Sequence, residues 1–448
     1  MLCAIPLEIA VRELNGMLYQ ALHLAANDLP TLLGERMVNE YVLSNKKPVT
    51  YFDSDQSTSI NETILNNGGV VFNVNPEGMH IAQEQQTLDN FSRIAPCVSL
   101  ICTWGEHQVK DLHSVFPQEM HDRILATGYP PFDLIQEKFR PFHEDADIIE
   151  KHGRDYILIN TSFAYANNMM GFDRYMKMLS KMDEWQIYAD PEYLAIQKTI
   201  YDHQMLMLEA IVDLAQRLGE WFPKRHIVIR PHPGEDANFY ADRMTDHHNV
   251  YVESMGTARE WISSAGFVIH HDCTTGMEAL LMGCPVIQYR PYYDKQAMAP
   301  IMPSLGVKTT TPEEVAKVIH SGSMPDEIRQ KQLNLLKPYL TNFSGSAAKT
   351  IAKLAAQYAQ DKPTWLPKPL GLWGNIKCWR KYISKLIRAH QPGRNGRKVR
   401  YALNKFPRMS LNEVVSKLEK LREIEPDLPE VDVQELCLNT FLITPREN

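Results

Sequence analysis

The chain has 448 residues, 44% of them hydrophobic, and a formal net charge of -7. This size predicts a globular protein with two domains of ordinary size, each large enough to bury its own core. No stretch approaches about 18 consecutive apolar residues, and the N-terminal segment lacks the basic flank and cleavage site of a secretory signal, so we expect a cytoplasmic protein.

Short apolar runs alternate with longer periodic segments from the first residues onward, which favours an α/β architecture with parallel sheets. The first domain, predicted over 1–150, begins with the strand LCAIPLEI, a helix over 12–27 with one apolar stripe, and the strand TLLG. Its further strands are predicted at 69–74, 98–104 and 124–128. The polar stretch 141–153 is interpreted as the link to the next domain.

A second doubly wound domain is predicted over 151–360. Its strands are expected at 155–161, 226–230, 249–253, 266–271 and 285–289. A helical, basic C-terminal extension is predicted over 361–448, and it begins with the Pro- and Gly-rich segment 363–374, which is interpreted as a linker or a surface loop.

The sequence RPHP follows the predicted strand 226–230, and it places Arg230 and His232 at the carboxyl end of that strand. Ligands of open α/β sheets bind at such ends. The flanking Pro231 and Pro233 have a fixed φ, which restricts the direction of the imidazole. His232 and Arg230 are therefore candidates for binding an anionic ligand. The alternative is that His232 only bonds a neighbouring carbonyl.

A second polar stretch, HHDCTT, joins the predicted strand 266–271 to a helix that starts near Thr275. Thr274 and Thr275 are suitable N-cap residues, and the free N–H groups of a helix N-terminus favour phosphate. Glu278 lies one turn further on, where it can accept hydrogen bonds from ribose or form a capping box with Thr275. Together the two motifs predict a nucleotide site at one edge of the sheet.

At these residues the sequence resembles a known family. The order of RPHP and HHDCTTGMEALLMGCPVI is similar to the nucleotide-sugar half of GT-B glycosyltransferases, especially bacterial enzymes related to sialyl- and 3-deoxy-octulosonate transferases. The likeness extends to IPLEIAVREL, NVNPEG, CTWGE, ATGYPPFD and ILINTSF, and these segments look like surface carbohydrate biosynthesis proteins over residues 3–290.

The resemblance implies a GT-B fold, with two Rossmann-like doubly wound domains facing across a cleft. It implies that His232 and the Thr274–Thr275 pair contact the nucleotide of the donor, often CMP. Arg230 and Pro233 of the same loop, together with Glu278, are expected to line the donor site, and no separate cofactor is expected. Two features depart from relatives. Polyol-phosphate transferases carry a Ser-Ser pair followed by aspartate, and sugar-nucleotide 2-epimerases carry a Ser-Gly-Gly-x-x-Glu-Glu signature, and neither occurs here. Both activities remain alternatives.

A glycosyltransferase needs a base near the acceptor hydroxyl. Glu77, in the loop NPEG after the strand 69–74, is the first candidate, and its alternative role is that of a solvated turn residue. Glu13 is the second candidate, in a group with Glu8 and Arg12, although at a helix start it also stabilises the helix dipole. Other acidic or imidazole side chains expected on strand-end loops are His80, Glu106 and Asp133.

No metal site is expected. The acidic triplets at 53–55 and 145–147 lack the surrounding pattern of metal-dependent transferases, and the seven cysteines show no zinc-ligand spacing. His270, His271 and Asp272 are adjacent on a strand end, so their side chains alternate and do not converge on one ion.

The C-terminal extension is basic in its first half: residues 362–408 contain 13 Lys or Arg and no Asp or Glu. Within it, Ile376, Trp379, Ile383 and Ile387 recur at helical spacing beside cations, which is typical of helices that lie on anionic membranes. The alternatives are that this helix packs back on the domains, or that the cations bind nucleic acid, for which no motif is present.

From the resemblance, we expect a metal-independent GT-B glycosyltransferase at the inner face of the cytoplasmic membrane. It would transfer a sugar from a nucleotide-sugar, preferably a CMP-activated ulosonic acid, to a lipid-linked surface polysaccharide or lipopolysaccharide acceptor. A non-catalytic module that binds a glycan or a nucleotide is the competing class.

Overall fold

The computed structural model describes residues 1–54, 57–76, 78, 91–180, 190–294, 305–343, 346–391 and 394–446. The chain divides into two compact units, one formed by Met1–Leu134 with Leu336–Asn448 and the other by Ile135–Leu335. Each unit is built on one mostly parallel β-sheet with helices. The predicted α/β class with two Rossmann-like units is confirmed.

The described strands form two sheets, one in each unit. In chain order they are β1 (Leu2–Pro6), β2 (Thr31–Gly34), β3 (Val49–Asp53), β4 (Val70–Val74), β5 (Leu100–Thr103), β6 (Ile124–Ala126), β7 (Tyr156–Asn160), β8 (Ile227–Arg230), β9 (Val250–Val252), β10 (Ala265–His270), β11 (Val286–Tyr289), β12 (Val307–Thr309), β13 (Val431–Cys437) and β14 (Thr440–Pro445). Most of the parallel strands are buried along their whole length, as expected for strands covered by helices on both faces.

Helices connect the strands. The α-helices described in the first unit are Ala10–Ala25, Met37–Asn45, Thr58–Asn66, Glu106–Val115, Pro130–Asp133, Ala347–Ala359, Leu372–Ala389, Arg394–Lys405 and Leu411–Ile424. In the second unit they are Arg140–His143, Ala146–His152, Phe172–Leu179, Pro191–Trp221, Ala237–Ala241, Ala258–Ser264, Thr274–Leu281 and Pro312–Ser321, and Asp326–Leu336 ends at the boundary. Among the described residues, no helix has the length and apolar character needed to cross a membrane.

The sheet of the first unit has the strand order β13-β14-β2-β1-β3-β4-β5-β6. β1 to β6 are parallel, and the C-terminal hairpin β13-β14 joins the sheet antiparallel to β2, with Leu442 opposite Leu32. Residues 361–448 therefore do not form a separate extension, because their last strands complete the first sheet. The extension is helical as predicted over most of 372–424, but the hairpin was not predicted.

The boundaries also differ from the predicted 1–150 and 151–360. The polar stretch 141–153, interpreted as a link, contains two helices of the second unit, Arg140–His143 and Ala146–His152. The chain returns to the first unit at Leu336. The helix Ala347–Ala359, which follows this return, packs on the helix Ala10–Ala25. A polar run on a helix surface resembles a linker in sequence, which accounts for the difference.

The sheet of the second unit has the order β12-β11-β10-β7-β8-β9, and all of its neighbouring strands are parallel. This is the strand order of a doubly wound sheet. Strands are added on one side of β7 first and then on the other side, so the strand order reverses between β7 and β10; we call this place the reversal point. Ligands of such sheets bind at the carboxyl ends of the strands beside this reversal. That edge carries both of the motifs singled out in the sequence.

Candidate functional site at the edge of the second sheet

The loops after β7 and β10 meet at the reversal point. The hydroxyl of Ser162 donates to Oδ1 of Asp272 (2.9 Å), and Nε2 of His271 lies 2.6 Å from the same oxygen. The His271 ring stacks on Phe163 with the centroids 4.4 Å apart. Burial raises the pKa of Asp272, but His271 and Ser162 outweigh burial and the pKa is lowered overall. Asp272 is therefore a carboxylate at neutral pH, held at the end of the strand.

The loops after β7 and β8 are joined by the buried carboxylate of Glu235. Oε1 accepts hydrogen bonds from the Thr161 hydroxyl (2.8 Å), from the Phe163 N–H (2.9 Å) and from the His232 N–H (3.1 Å). Oε2 accepts from the Tyr240 hydroxyl (2.5 Å). Four donors on one buried carboxylate fix the position of the RPHP loop relative to β7.

The ring of His232 reaches solvent, and its orientation is fixed by its own loop. Nδ1 accepts a hydrogen bond from the Gly234 N–H (3.1 Å), so the neutral ring carries its proton on Nε2. Neighbouring protein desolvates the imidazolium and lowers the pKa of His232; Glu235 opposes this change and Arg230 adds to it. The neutral ring therefore presents an Nε2–H donor to solvent.

Arg230 ends β8, and its Nη2 donates to the Gly256 carbonyl (2.7 Å). Its Nε is buried without a hydrogen-bond partner among the described residues. Burial lowers the pKa of Arg230, while Glu260, Cys273 and Glu278 raise it, so a guanidinium on the RPHP loop is electrostatically linked to the helix after β10. Arg230 therefore supplies positive charge at the carboxyl end of β8.

The helix Thr274–Leu281 starts one residue earlier than predicted. Its N-cap is Cys273, whose sulfur accepts from the Thr275 N–H (3.3 Å) and also contacts the Thr275 hydroxyl. Thr274 and Thr275 are therefore the first and second helical residues, and Thr274 is exposed. The N-terminus of this helix lies just after the carboxyl end of β10, and helix N-termini are suited to binding phosphate.

Glu278 does not form the capping box with Thr275 that was considered from the sequence. Its Oε2 lies 3.1 Å from Nε of Arg259, and both side chains are mostly buried. Glu278 is thus paired within the unit, and a role in binding ribose would require it to leave or share this ion pair. Pro233 is exposed beside His232.

His270 has a structural role. It is fully buried, its Nε2 lies 2.9 Å from the Leu305 carbonyl, and a Cβ on Gly276 would lie 2.5 Å from its ring. The glycine at this helix position therefore makes room for the ring. His270 and His271 have different partners, as the alternation of side chains along a strand predicts.

Burial lowers the pKa of His270 to about 4. In the unfolded chain the imidazole of His270 is protonated below about pH 6.5, whereas in the folded chain it stays neutral down to about pH 4. The contribution of neutral His270 to stability is therefore present above pH 6.5 and is lost as the pH falls towards about 4. The variant His270→Gln keeps a side-chain amide that can donate to Leu305 but has no group that titrates in this range. As the pH is lowered below 6.5, the free energy of unfolding of the parent should therefore decrease more steeply than that of the variant, with a difference in slope of about 1.4 kcal/mol per pH unit. Urea unfolding at pH 6.5 and pH 5 measures this difference, with His248→Gln as the exposed control. Equal slopes for parent and His270→Gln would contradict the assignment.

Buried polar atoms without a hydrogen-bond partner among the described residues occur along this edge. Both side-chain atoms of Asn160, the last residue of β7, lack one, as do Nδ1 of His271 and Oε1 of Gln288 at the end of β11. Native proteins rarely bury such groups without a partner, so they indicate a place where a polar ligand or water binds. Asn160 lies directly at the reversal point.

Three residues of this edge were missed by sequence reasoning: Asn160, Ser162 and Glu235. The stretch ILINTSF was noted only for its resemblance, although an apolar strand that ends in Asn-Thr-Ser carries the same signal as the RPHP loop. Glu235 follows RPHP by only two residues, but its role depends on contacts with Thr161 and Phe163, which are far away in sequence.

Glu13, the second candidate base, lies on the first unit. It is buried, its Oε2 accepts from the Glu8 N–H (2.9 Å), and its Oε1 pairs with Arg12 (3.0 Å). Burial raises the pKa of Glu13, with Arg12 and the Glu8 N–H acting in the opposite direction. These contacts stabilise the start of the helix Ala10–Ala25, and both carboxylate oxygens are engaged.

Asp133 is also structural. It accepts from Ala347 N–H, Ala348 N–H, the Ser346 hydroxyl and the Asn342 amide, at 2.6–2.9 Å, and thereby caps the helix Ala347–Ala359. Burial raises its pKa to about 6. Glu106, at the start of another helix, is exposed.

Glu77, the first candidate base, and His80 lie outside the described residues. Their neighbours show how the loop after β4 is held. The Asn75 carbonyl accepts from Nε1 of Trp104 (2.9 Å), and a Cβ on Gly78 would lie 2.1 Å from the Trp104 ring. The glycine of NPEG is therefore required for close contact with Trp104.

The acidic triplets have other partners. Asp145 caps the helix Ala146–His152 through the N–H groups of Asp147 and Ile148, and Asp53 is buried with the amides of Asn61 and Asn73. Asp55 lies outside the described residues. Within the described part of the chain, no three His, Cys, Asp or Glu side chains are grouped to hold a metal ion.

Comparison with known proteins gives structural neighbours only: no family model and no curated protein matches the sequence. One neighbour is a putative UDP-N-acetylglucosamine 2-epimerase from Listeria monocytogenes, with 12% identity over 83% of this chain and 99% of the neighbour and a TM-score of 0.49. The MnaA–UDP structure from S. aureus shares 10% identity over 82% and 98%, with a TM-score of 0.44. The wall teichoic acid polymerase TagF with CDPG shares 12% over 80% and 87%, with a TM-score of 0.47. All three TM-scores are below 0.5, so the function has to be inferred from the residues at the sheet edge.

Proposed function

We propose that this chain is a GT-B-type enzyme that binds a nucleotide-sugar at the reversal point of the second sheet and transfers the sugar to a surface-glycan acceptor. One observation carries the proposal. The loops after β7, β8 and β10 form a continuous set of contacts, through Glu235, Phe163 and Asp272, that places an imidazole donor, a carboxylate and a helix start on one edge.

The groups on this edge match the parts of a nucleotide. The Nε2–H of His232 and the N-terminus of the helix Thr274–Leu281 are donors suited to phosphate oxygens. The carboxylate of Asp272 and the buried amide of Asn160 offer acceptors for hydroxyl or base N–H groups. Donors and acceptors on the same edge favour a ligand that carries both phosphate and sugar hydroxyls.

Transfer leaves the nucleotide with additional negative charge on its phosphate. His232, with the positive charge of Arg230 behind it, would stabilise that charge as it develops. The acceptor hydroxyl needs a base, and Glu77 remains the prediction for this role. The resemblance found in the sequence favours a CMP-linked ulosonic acid as the donor, and the proposal requires no metal ion.

A sugar-nucleotide 2-epimerase is the second candidate, since it would use the same nucleotide site. One structural neighbour is a putative UDP-N-acetylglucosamine 2-epimerase, and another, MnaA, was solved with UDP. Release of free nucleotide only in the presence of an acceptor separates transfer from epimerisation.

The nucleotide site is tested by thermal unfolding of the full chain with CMP, CDP, UDP and GDP. A ligand at about 100 times its Kd stabilises by about 2.7 kcal/mol, which corresponds to a rise in Tm of several degrees. We expect a selective rise with the cytidine nucleotides and a smaller rise in His232→Ala, which lacks one phosphate donor. His248→Ala is the matched control, because His248 is exposed just before β9, at the opposite edge of the sheet. No rise with any nucleotide would refute the site, and selection of UDP would refute the cytidine donor.

A further inference from the structure

The helix Leu372–Ala389 of the first unit keeps a row of large apolar side chains exposed. Trp373 is 83% exposed, Leu372 73% and Ile387 63%. We call this row the outer stripe; its members are Leu372, Trp373, Ile376, Trp379, Ile383, Leu386 and Ile387. Single exposed apolar residues are ordinary, but a contiguous row of seven on one helix marks an interaction surface.

The outer stripe has a cationic border. At about 100° per residue, its members fall within one sector of the helix. Arg380 lies near the border of that sector, and Lys377, Lys381 and Arg388 follow on the same side. All four cations are exposed, and the helix contains no acidic residue. The surface is therefore apolar in its centre and positively charged along its margin.

The rest of the helix is attached to the first unit. Ala389 is buried, and Cys378 and Tyr382, on the side away from the outer stripe, are half-buried. The preceding segment is fixed by the Leu370 N–H, which donates to the Leu436 carbonyl of β13 (3.0 Å), and by Trp365, whose Nε1 donates to the Pro48 carbonyl (3.0 Å). The helix is thus held by one face while most of the outer stripe points away from it; Trp379 of the stripe also lies beneath the guanidinium of Arg408, 5.4 Å from the ring centroid.

We propose that the outer stripe and its cations bind the surface of an anionic lipid bilayer, with the helix lying parallel to the membrane. Exposed Trp, Leu and Ile side chains enter the boundary between head groups and acyl chains, and the neighbouring Lys and Arg contact anionic head groups. Charge complementarity selects this partner: residues 362–408 contain 13 cations and no acidic residue, whereas the rest of the chain is acidic, with 34 Lys or Arg against 54 Asp or Glu. A second copy of this chain would bring two cationic margins together.

The proposal is tested by sedimentation of the full chain with phosphatidylcholine vesicles that contain or lack phosphatidylglycerol. We expect binding only to the anionic vesicles, and weaker binding at higher ionic strength. Each basic residue near the surface contributes about 1 kcal/mol, or about fivefold in affinity, so the combined variant Lys377→Gln, Arg380→Gln, Lys381→Gln should bind roughly 100-fold more weakly. Trp373→Ala with Ile387→Ala should lower binding roughly tenfold or more.

Matched controls are Lys353→Gln for charge and Leu206→Ala for apolar area, since both residues are exposed on other helices. The substituted residues are exposed, so an unchanged Tm is expected and loss of binding will not reflect unfolding. Equal binding to neutral and anionic vesicles, or none, would overturn the proposal. It would also be overturned if the stripe variants changed the oligomeric state in light scattering while vesicle binding stayed the same.

Discussion

Replacing His232 by alanine is expected to lower sugar-transfer turnover by ~10² or more, while Tm changes little. The ring is exposed, so its removal leaves no cavity in the core, but it removes the Nε2–H donor that the Gly234 contact orients. The loss should therefore appear in kcat more than in stability. Release of nucleotide from the donor, followed with and without acceptor, measures the effect.

Two variants sharpen this test. His232→Gln retains a side-chain N–H donor and should recover part of the lost turnover. His248→Ala removes an exposed histidine at the other edge of the sheet and should behave as the parent does. Parent-like turnover in His232→Ala would show that the RPHP loop does not act on the leaving group.

Replacing Glu235 by alanine is expected to reduce the free energy of unfolding by on the order of 3–5 kcal/mol and to abolish nucleotide binding. The change leaves the Thr161 hydroxyl, two main-chain N–H groups and the Tyr240 hydroxyl without their shared acceptor. The loops after β7 and β8 would then lose their fixed spacing. Urea unfolding and the nucleotide-dependent rise in Tm report the two effects separately.

Glu235→Ala can fail to fold, so Tyr240→Phe provides a milder test. It removes one of the four bonds and should cost about 1 kcal/mol while nucleotide binding is retained. Glu220→Ala, at an exposed carboxylate of the helix Pro191–Trp221, is the control for loss of charge. A stable Glu235→Ala variant with normal nucleotide response would mean that Glu235 does not organise the site.

The strands that form the site could be predicted because their sequence signal is local. Apolar runs such as IVIR and FVIH end in polar residues, and the structure ends β8 and β10 at Arg230 and His270. The cap of the helix Thr274–Leu281 was misassigned because Cys273, a weak acceptor, takes the place that the threonines were expected to fill. Threonine is a preferred N-cap residue, but here the end of β10 places Cys273 at the N-cap position.

Contacts between distant segments could not be predicted in the same way. The hydrogen bond from Ser162 to Asp272 spans 110 residues, and the bonds to Glu235 from the β7 loop span more than 70. The C-terminal hairpin was missed for a similar reason: its turn is marked only by Asn439 at φ 58°, and its place beside β2 depends on residues some 400 positions earlier. The periodicity of apolar residues identifies helices and strands, whereas the order of the strands in a sheet depends on packing between segments that are distant in sequence.

The return of the chain to its first sheet has a consequence for synthesis on the ribosome. The second unit is complete when residue 335 has been made, whereas the first unit lacks β14, the partner strand of β2, until residue 445 follows. Until then the backbone of β2 presents unpaired N–H and C=O groups along an apolar strand, a template for intermolecular pairing. A nascent chain therefore carries this unpaired strand until its last residues are made, which leaves it open to intermolecular pairing throughout that time.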